Sequence, residues 1–346
     1  MRKTIKDIAQ NADVSLSTVS RVINNSGYVS KKTRQKIECV IKEYDYVPSM
    51  MAKRLSKDSN RIVGVLVPEF DNPFFSGVIK GIYEIADSLN FCVILCDSNE
   101  DYEKELRIIH TLKEQRVQGL LISAALGENK QTLEYTKVFK NLDFPVVLID
   151  RDIVECEHDG VYFDDMQAVF AITTLMINEG HRHIEILAGN QELSLGQNRT
   201  NGYKMAFSRA GIPYNDNWIH YSLFTQESGY KAMMEILSRD RKLWPTAVIA
   251  NNNRLSIGAL SAIYKNRIRI PQDIAFAGYD QLELLKALQI NITLAEKDNI
   301  EMGRIAMRML YERIIEEKGH KQSSPRKIII KAKLVVRGSE KLPLYI

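Results

Sequence analysis

The spacing of apolar residues along this chain of 346 residues changes near residue 61. Before that point, short runs carry apolar residues three or four positions apart, which predicts helices with one buried face. After it, short continuous apolar runs alternate with longer amphipathic stretches, which predicts buried strands alternating with helices. The chain is therefore expected to consist of a small helical head and an α/β body.

Three helices are predicted in the head, because residues that commonly cap helices, Thr4, Ser15 and Ser30, each precede an amphipathic run. A tight turn at Asp13 and Val14 separates the first two runs. Two short helices joined by such a turn form a helix-turn-helix, whose second helix enters the DNA major groove. The alternative is a three-helix bundle with no ligand. That alternative is disfavoured, because it leaves the polar outer face of the second helix without a purpose.

The second predicted helix supplies the candidate contacts to DNA bases. Val19 and Val22 share its apolar face, while Leu16, Ser17 and Arg21 point elsewhere and are expected to read bases. The remaining predicted contacts, to phosphates or bases, are Thr4, Ser15, Thr18, Ser20, Asn24, Tyr28 and Lys31.

Seven apolar runs in the body have the length and composition of buried strands. They are Ile62–Val67, Phe91–Cys96, Gly119–Ile122, Pro145–Ile149, Ile184–Leu187, Ala247–Ala250 and Ile274–Ala277. Buried strands that alternate with helices form parallel sheets covered on both faces. The runs fall into two sets, which predict two similar Rossmann-like subdomains. A ligand is expected between them, outside the carboxyl ends of the strands.

Charge divides the chain at the same place. Residues 1–60 contain twelve Lys and Arg against six Asp and Glu, a net charge of +6, whereas the whole chain carries +4. A basic head on a slightly acidic body suits a phosphate-binding module attached to a sensor domain. No apolar run approaches the roughly 20 residues that span a bilayer, and no signal-peptide pattern follows the first Met. We therefore expect a cytoplasmic protein without membrane contact.

Catalytic and metal-binding patterns are scarce. The four cysteines lack metal-type spacing and are expected to be buried free thiols in a reducing compartment. They are Cys39, Cys92, Cys96 and Cys156. His181 and His183 stand two residues apart at the start of a strand, so their imidazoles should point in opposite directions and hold no metal. No Ser/His/Asp arrangement, catalytic carboxylate pair or Gly-rich phosphate loop stands out, so neither an enzyme nor a cofactor is expected.

The head resembles one family closely. The segment Thr4–Ile37, TIKDIAQNADVSLSTVSRVINNSGYVSKKTRQKI, followed by Tyr46-Val47-Pro48-Ser49, is similar to the N-terminal signature of the LacI/GalR family of bacterial transcription regulators. The match is long, with small, apolar, basic and turn residues all in register, which makes it specific. The resemblance implies a homodimer, or a higher oligomer, that binds double-stranded operator DNA. It also implies a body built like a periplasmic binding protein.

The resemblance further implies domain boundaries. A helix-turn-helix domain is expected at 1–46, a hinge helix with linker at 47–60, and an effector-binding and dimerisation core at 61–340. Within the core, the first subdomain is expected at 62–164 and 296–324, and the second at 165–295 and 325–340, with the terminal strand Lys327–Val336 in the second. The chain would cross between the subdomains three times, and these crossings would act as a hinge.

The hinge segment Pro48–Leu55 is too short to be a stable helix alone in water. In the family, such a segment orders on DNA, pairs with that of the second subunit and inserts a leucine into the minor groove. Leu55 stands at that place, and apolar wedges of this kind kink the duplex. The alternative is a plain linker in which Leu55 packs on the body.

Loops that follow the predicted strands carry the candidate ligand chemistry. The loop Pro68–Phe75 offers a carboxylate, an amide and aromatic rings, which suit the hydroxyls and ring faces of a sugar, although Phe75 itself is expected in the core. By the resemblance, Arg199 in RTNGY and Asp280 in GYD reach the cleft, and Asn252 lies in Asn-Asn-Asn where the family has Ala-Asn-Asp. The predicted effector contacts are Asp71, Asn72, Phe74, Arg151, Arg199, Asn252 and Asp280.

These features together predict a sequence-specific repressor whose operator affinity is controlled by a sugar or sugar-derived metabolite bound between the subdomains. The alternative is a catabolite-type regulator controlled mainly by a phosphorylated carrier protein. Arg199 favours a small molecule, since this arginine serves a small-molecule pocket in the family. Purine corepressors are disfavoured, because family members that bind purines have Arg and Thr where this chain has Leu193 and Leu195.

Overall fold

The structure, a computed structural model, describes residues 4–23, 26–46, 61–125, 129–153, 157–191, 193–280, 285, 287–318 and 324–343. The hinge segment Pro48–Leu55, Asn24 and Cys156 lie outside the described residues, and the expectations for them stay predictions. The chain divides into two compact units, Met1–Arg61 and Ile62–Ile346.

The head is a bundle of three helices, α1 (Ile5–Asn11), α2 (Leu16–Ile23) and α3 (Lys31–Glu43). Helix α1 begins where Thr4 and Asp7 form a capping box, in which each side chain accepts a hydrogen bond from the backbone N–H of the other residue. Ile8, Val19 and Ile37, one from each helix, are fully buried and fill the space between the helices. The predicted helix-turn-helix is confirmed.

The body alternates strands and helices along its length. In chain order its elements are β1 (Ile62–Val67), α4 (Pro73–Ser88), β2 (Cys92–Asp97), α5 (Tyr102–Glu114), β3 (Leu120–Ile122), α6 (Asn129–Lys140), β4 (Val146–Ile149), β5 (Asp159–Phe163), α7 (Asp165–Asn178), β6 (Ile184–Gly189), α8 (Ser194–Ala210), β7 (Ile219–Tyr221), α9 (Gln226–Leu237), β8 (Ala247–Ala250), α10 (Asn253–Lys265), β9 (Ala275–Tyr279), β10 (Thr293–Glu296), α11 (Asn299–Lys318), β11 (Lys327–Ile330) and β12 (Lys333–Val335).

The first sheet has the strand order β11-β5-β4-β3-β1-β2, and all its strands are parallel. Side chains of β1 point alternately to its two faces, as a pleated strand requires. Val63 and Val65 pack under α4 and α11, whereas Ile62 and Leu66 pack under α5 on the opposite face. An uninterrupted apolar run is stable there because both faces of the sheet are covered.

The second sheet has the order β12-β10-β9-β8-β6-β7, with β12 antiparallel and the other strands parallel. Ile184 and Ile186 of β6 pack under α7 and α8, while Leu187 packs with α9 and α10 on the other face. The predicted architecture of a helix-turn-helix head and a core of two α/β sheets is confirmed.

The terminal strand departs from the expectation. We placed Lys327–Val336 wholly in the second subdomain, but β11 pairs with β5 in the first sheet, where Ile328 lies opposite Val161. Only β12 joins the second sheet. The chain therefore passes between the sheets at residues 331–332, and this passage adds to those between β5 and α7 and between β10 and α11. Strands β11 and β12 are four and three residues long, and two residues separate them. Their apolar residues therefore look like a single strand in the sequence.

The cysteines also depart from the expectation of buried thiols. Cys39 and Cys92 are exposed and free, and Cys96 is half-buried, where partial burial raises the pKa of its thiol. Strand β2, which carries Cys92 and Cys96, lies at the edge of the first sheet and is covered less well than the central strands. Among the described residues, no helix has the length and apolar composition that crossing a membrane requires.

Candidate DNA-reading helix and effector cavity

The outward face of α2 carries the residues predicted to read bases. Leu16, Ser17 and Arg21 are exposed, and the Leu16 side chain is unusual in being apolar and 44% accessible. The Ser15 hydroxyl lies 2.7 Å from the Ser17 hydroxyl and accepts a hydrogen bond from the backbone N–H of Thr18, which closes the first turn of the helix. The N-terminal turn of α2 thus presents a methyl-bearing side chain beside hydroxyl groups, a combination suited to base edges in the major groove.

The other predicted DNA contacts in the described part of the head are also accessible. Thr4, Tyr28 and Lys31 are exposed, with Tyr28 the most open of the three at 89%, and Thr18 and Ser20 are half-buried. Side chains of this kind bind phosphate oxygens, which position a protein on DNA without reading its sequence.

A cavity of about 320 Å³ lies between the carboxyl ends of the two sheets. Its lining includes six of the seven predicted effector contacts, namely Asn72, Phe74, Arg151, Arg199, Asn252 and Asp280. Other lining residues are Glu69, Phe75, Glu100, Asp150, Asn190, Leu193, Leu195, Leu223, Phe224, Thr225, Asn253 and Lys297. The volume is at the small end of the range for small-molecule sites, which run from about 300 to 1,000 Å³.

Asp71 is the predicted contact that the structure does not bring to the cavity. Its side chain is 75% exposed and forms an ion pair of 3.1 Å with Arg254, which also pairs with Glu69 at 2.9 Å. Nearby, the amide nitrogen of Asn253 donates a hydrogen bond of 2.9 Å to the side-chain oxygen of Asn72. These contacts join the loop after β1 to the start of α10, and therefore join the two subdomains across the opening of the cavity.

The three consecutive asparagines after β8 make different contacts. The carbonyl oxygen of Asn251 accepts a hydrogen bond of 2.6 Å from Arg199. Asn252 caps α10, because its side-chain oxygen accepts from the backbone N–H of Leu255 at 2.7 Å. Asn253 makes the contact with Asn72 across the opening. The predicted contact Asn252 thus lines the cavity while its amide oxygen is occupied by the helix.

At the base of the cavity, Lys297 lies among three carboxylates, and we call these four residues the Lys297 cluster. Its ammonium is 3.3 Å from Asp150, 3.5 Å from Asp165 and 3.6 Å from Asp280, and the four side chains are almost completely buried. Asp150 follows β4 of the first sheet, while Asp280 follows β9 of the second. The lysine therefore links both subdomains at the point where the chain passes between them.

Aromatic rings enclose the ammonium on its remaining sides. The nitrogen lies 4.7 Å from the ring centre of Phe74, 4.8 Å from that of Phe163 and 4.8 Å from that of Tyr279. Ring faces attract a cation most strongly where water is excluded. Burial lowers the pKa of Lys297, but the three adjacent carboxylates outweigh it and raise the pKa above its ordinary value, so the lysine is charged.

Arg199 shares one carboxylate with this cluster. Its guanidinium donates to Asp165 at 3.3 Å and lies 4.4 Å from the ring centre of Tyr279. Tyr279 in turn donates a short hydrogen bond to Asp165. Burial raises the pKa of Asp165, but the charges of Arg199 and Lys297 outweigh this and hold it below its ordinary value. For Asp280, burial dominates and the pKa is raised.

Backbone geometry aims two of the carboxylates. Asp150 and Asp280 have φ angles of 63° and 73°, in the left-handed region that aspartate adopts more readily than most residues. In both, the backbone N–H still bonds to the neighbouring strand, to Val161 at 2.9 Å and Ala295 at 3.0 Å. The backbone thus turns sharply directly after the last inter-strand hydrogen bond, both after β4 and after β9. The side chains of Asp150 and Asp280 meet at Lys297.

Sequence reasoning missed Lys297 and Asp165. Neither lies in a short motif, and a lone Lys or Asp near a predicted element end is normally a solvated residue. The available signal was position: Lys297 lies two residues after a short apolar run that ends at Ala295, and Asp165 begins a helical stretch. Phe75, expected in the core, is buried in the first subdomain and also borders the cavity.

His181 and His183 have separate partners. His181 lies 2.8 Å from the Thr246 hydroxyl, whereas His183 lies 3.0 Å from the Glu185 carboxylate. The two imidazoles therefore have different partners, and their opposite directions stay a prediction.

Comparison with known proteins assigns both parts of the chain. Residues 4–49 match the family described as bacterial regulatory proteins, lacI family, and residues 60–337 match periplasmic binding proteins and sugar binding domain of LacI family. The chain is 33% identical to the ribose operon repressor of Haemophilus influenzae over 90% of its own length and 92% of the relative. It is also 33% identical to the transcriptional repressor PurR of Vibrio vulnificus, with 98% of both chains covered.

Solved structures show the same architecture. A complex of the transcriptional regulator CelR with cellobiose is 29% identical, with a TM-score of 0.70 over 98% of this chain and 100% of that one. The lac repressor dimer bound to operator and an anti-inducer is 24% identical, with a TM-score of 0.82 over 99% of this chain and 100% of that one.

Proposed function

The chain belongs to the LacI family of bacterial regulatory proteins, and on this basis we propose that a small sugar bound in the cavity controls its affinity for operator DNA. It is a DNA-binding transcription repressor with a ligand-binding core. The observation that carries the proposal is the cavity itself, where hydrogen-bonding side chains from both subdomains face an apolar wall. Sugars present hydroxyls around their rims and C–H groups on their ring faces, which this arrangement accommodates.

Two features favour a sugar over the purine bases that the name PurR suggests for some relatives. The core matches a family described as sugar binding, and one relative is named a ribose operon repressor. In addition, Leu193 and Leu195 give part of the lining no hydrogen-bonding side chain, whereas a purine base needs polar partners for its ring nitrogens. Control by a phosphorylated carrier protein is not favoured, since the relatives and the cavity both indicate a small molecule.

We further propose that the protein acts as a homodimer. Two heads related by a two-fold axis would address the two half-sites of a near-palindromic operator. The lac repressor structure of the same fold is described as a dimer bound to operator. Sedimentation of the full chain at micromolar concentration would test this, and a monomer that binds operator with full affinity would contradict it.

The proposed effector can be tested with the full-length protein. Binding-site selection from random duplex DNA first supplies an operator, and thermal shift then screens sugars, sugar phosphates, sugar acids, hypoxanthine and guanine. A ligand at about 100 times its Kd stabilises the folded state by about 2.7 kcal/mol. We expect at least one sugar to raise Tm and change operator affinity. A purine base that does both, when no sugar does, would overturn the proposal.

Asp280→Asn tests where the ligand binds. The variant keeps the shape of the side chain but removes a charged acceptor inside the cavity. We expect it to bind operator normally and lose the response to the sugar, since truncating a buried charged partner costs about 2–5 kcal/mol of binding. Asp216→Asn is the control, because Asp216 is 80% exposed and pairs with Lys204 away from the cavity lining. An Asp280→Asn variant that responds like wild type would place the effector elsewhere.

A further inference from the structure

We propose that the cavity selects an uncharged polyhydroxy ligand and rejects the phosphorylated and carboxylate forms of the same sugar. This inference rests on the proposed function and narrows it from sugars and their derivatives to neutral sugars. It follows from the way in which the positive charges of the cavity are already neutralised by the protein.

Among the described residues, the lining contains three cationic side chains, and each is held by a carboxylate. Arg151 donates two hydrogen bonds to Glu100, at 2.9 and 2.7 Å, in the paired geometry that arginine and carboxylate prefer. Arg199 donates to Asp165 at 3.3 Å. Lys297 contacts the three carboxylates of its cluster at 3.3–3.6 Å. None of these three described cations is left to compensate an anionic ligand.

In the part of this region that the structure describes, carboxylates outnumber the cations. Asp150, Asp165 and Asp280 surround a single lysine, and Glu100 adds a fourth carboxylate at Arg151. A phosphate ester carries a charge of about −1.5 to −2 near neutral pH. Placing it in the cavity would bring like charges together beside buried carboxylates, and such juxtapositions weaken binding.

The polar atoms that remain available suit hydroxyl groups. Among the described lining residues, a carboxylate oxygen of Asp280 and the Nε atoms of Arg151 and Arg199 are buried without a hydrogen-bond partner. One acceptor beside two donors matches a group that can both donate and accept, which is what a hydroxyl does. A phosphate has acceptor oxygens and would leave the Asp280 oxygen unmatched.

The site also offers a direct way to reverse the selectivity. Glu100 is the carboxylate nearest to solvent, with its side chain 39% exposed, while its partner Arg151 is only 11% exposed. Glu100→Gln keeps the size of the side chain but leaves the Arg151 charge uncompensated at the cavity wall. Arg151 should then hold a phosphate or carboxylate with two parallel hydrogen bonds.

The experiment compares full-length wild type and Glu100→Gln at constant ionic strength. The probes are inorganic phosphate and matched sets of ribose with ribose 5-phosphate, and glucose with glucose 6-phosphate and gluconate. Affinities are measured by calorimetry and Tm by thermal shift. For wild type we expect the neutral member of a set to bind about 100-fold more tightly than its charged forms, and no stabilisation by inorganic phosphate beyond that of chloride. For Glu100→Gln the ratio of the affinity for the neutral sugar to that for its charged forms should fall by about tenfold or more. Inorganic phosphate should raise the Tm of this variant.

Glu227→Gln is the matched control, because it removes one carboxylate from an exposed pair with Lys231. It should behave like wild type with every probe. A phosphate ester or gluconate that binds wild type as tightly as the neutral sugar would overturn this inference and leave the proposed function standing. If Glu100→Gln folds but does not bind phosphate more tightly than wild type, charge compensation is not the cause of the selectivity. Absence of binding by every sugar, neutral or charged, would overturn the proposed function as well.

Discussion

Lys297 illustrates how one side chain can combine structural and functional roles. Its ammonium is enclosed by carboxylates from both subdomains and by three aromatic rings. A buried charge of this kind is tolerated only because its partners are in place, and removing one member leaves the others uncompensated. The residue is therefore expected to matter for stability even before any ligand binds.

Lys297→Gln should destabilise the body by about 3 kcal/mol, because Arg199 would then be the cation that the three buried carboxylates share among the described residues. Urea unfolding of the variant and wild type, monitored by circular dichroism, measures the difference. Lys231→Gln serves as the control, since Lys231 lies on the surface and pairs with a neighbour one turn away. Equal unfolding midpoints for Lys297→Gln and wild type would show that the lysine does not stabilise the cluster.

In the head, different residues are expected to read bases and to contact phosphates. Changing Leu16 and Ser17 together should alter the selected DNA sequence, because both lie on the exposed N-terminal turn of α2. Lys31→Ala should instead weaken binding to all sequences about equally, as expected for a phosphate contact. Binding-site selection with each variant measures both effects. An unchanged consensus for the double Leu16/Ser17 variant would remove these residues from base recognition.

At the scale of elements, one buried carboxylate joins the edge of the second sheet to the adjacent helix. Glu185 of β6 is completely buried and lies 2.6 Å from Nε2 of His220 on β7 and 3.0 Å from Nε2 of His183. Arg239, which follows α9, donates to it at 2.6 Å. Burial raises the pKa of Glu185, but these hydrogen bonds outweigh it and lower the pKa to about 2.

This lowered pKa predicts a pH dependence. A carboxylate whose pKa is lower in the folded state stabilises the fold above its ordinary pKa of about 4.5, and the stabilisation is lost as pH falls towards 2. At pH 7, wild type should exceed Glu185→Gln in free energy of unfolding by about 2 kcal/mol. The difference should shrink between pH 4.5 and pH 2. Urea unfolding across this range tests it, and a difference that does not vary with pH would contradict the lowered pKa.

Two of the strands that sequence reasoning overlooked, β5 and β7, share a physical property. Strand β5 begins with Asp159, whose burial depends on Arg313 and Arg326, which both donate to its carboxylate. Strand β7 is only three residues long and carries His220. Neither has the continuous apolar run that marks β1 or β8. Their polar residues are satisfied by partners far along the chain, so local patterning gives no indication of a strand.

At the scale of the whole molecule, contacts across the opening of the cavity link the two subdomains. Arg254 reaches from α10 to Glu69 and Asp71, and Asn253 reaches to Asn72. The two subdomains are also joined by the Lys297 cluster and by short passages of chain, and hinge closure around a ligand is a common motion in such an arrangement. Contacts made across the opening favour the closed arrangement.

Arg254→Ala should therefore weaken sugar binding by about two- to fivefold, because partly exposed ion pairs contribute about 0.2–1 kcal/mol each. By thermodynamic linkage, the factor by which the sugar changes operator affinity must equal the factor by which operator changes sugar affinity, in the variant as in wild type. Calorimetry with the sugar found in the screen, with and without operator, measures this. Arg241→Ala is the control, since Arg241 is 61% exposed and pairs with Asp273, which does not line the cavity. An Arg254→Ala protein with wild-type affinity would show that these contacts do not favour closure.

The sequence by itself determined the helix-turn-helix head and the alternating α/β body. Those features depend on interactions within a few residues: Thr4 with Asp7 at a helix start, or the alternation of Val63 and Val65 with Leu66 across one strand. Family resemblance also directed attention to Arg199 and Asp280, which line the cavity. Helix-capping signals and hydrophobic periodicity can be recognised in the sequence because both depend on residues close together along the chain.

Only the tertiary structure decided which residues meet. Lys297 and Asp150 are 147 positions apart, and their contact exists because two strand ends and one passage between the sheets converge. Asp71 carries suitable chemistry in the right loop, yet Arg254 holds it at the rim of the cavity. A charged residue in a sequence gives no sign of burial, since burial becomes favourable only when distant partners compensate it. The selectivity of the cavity follows from that compensation, and therefore from the fold.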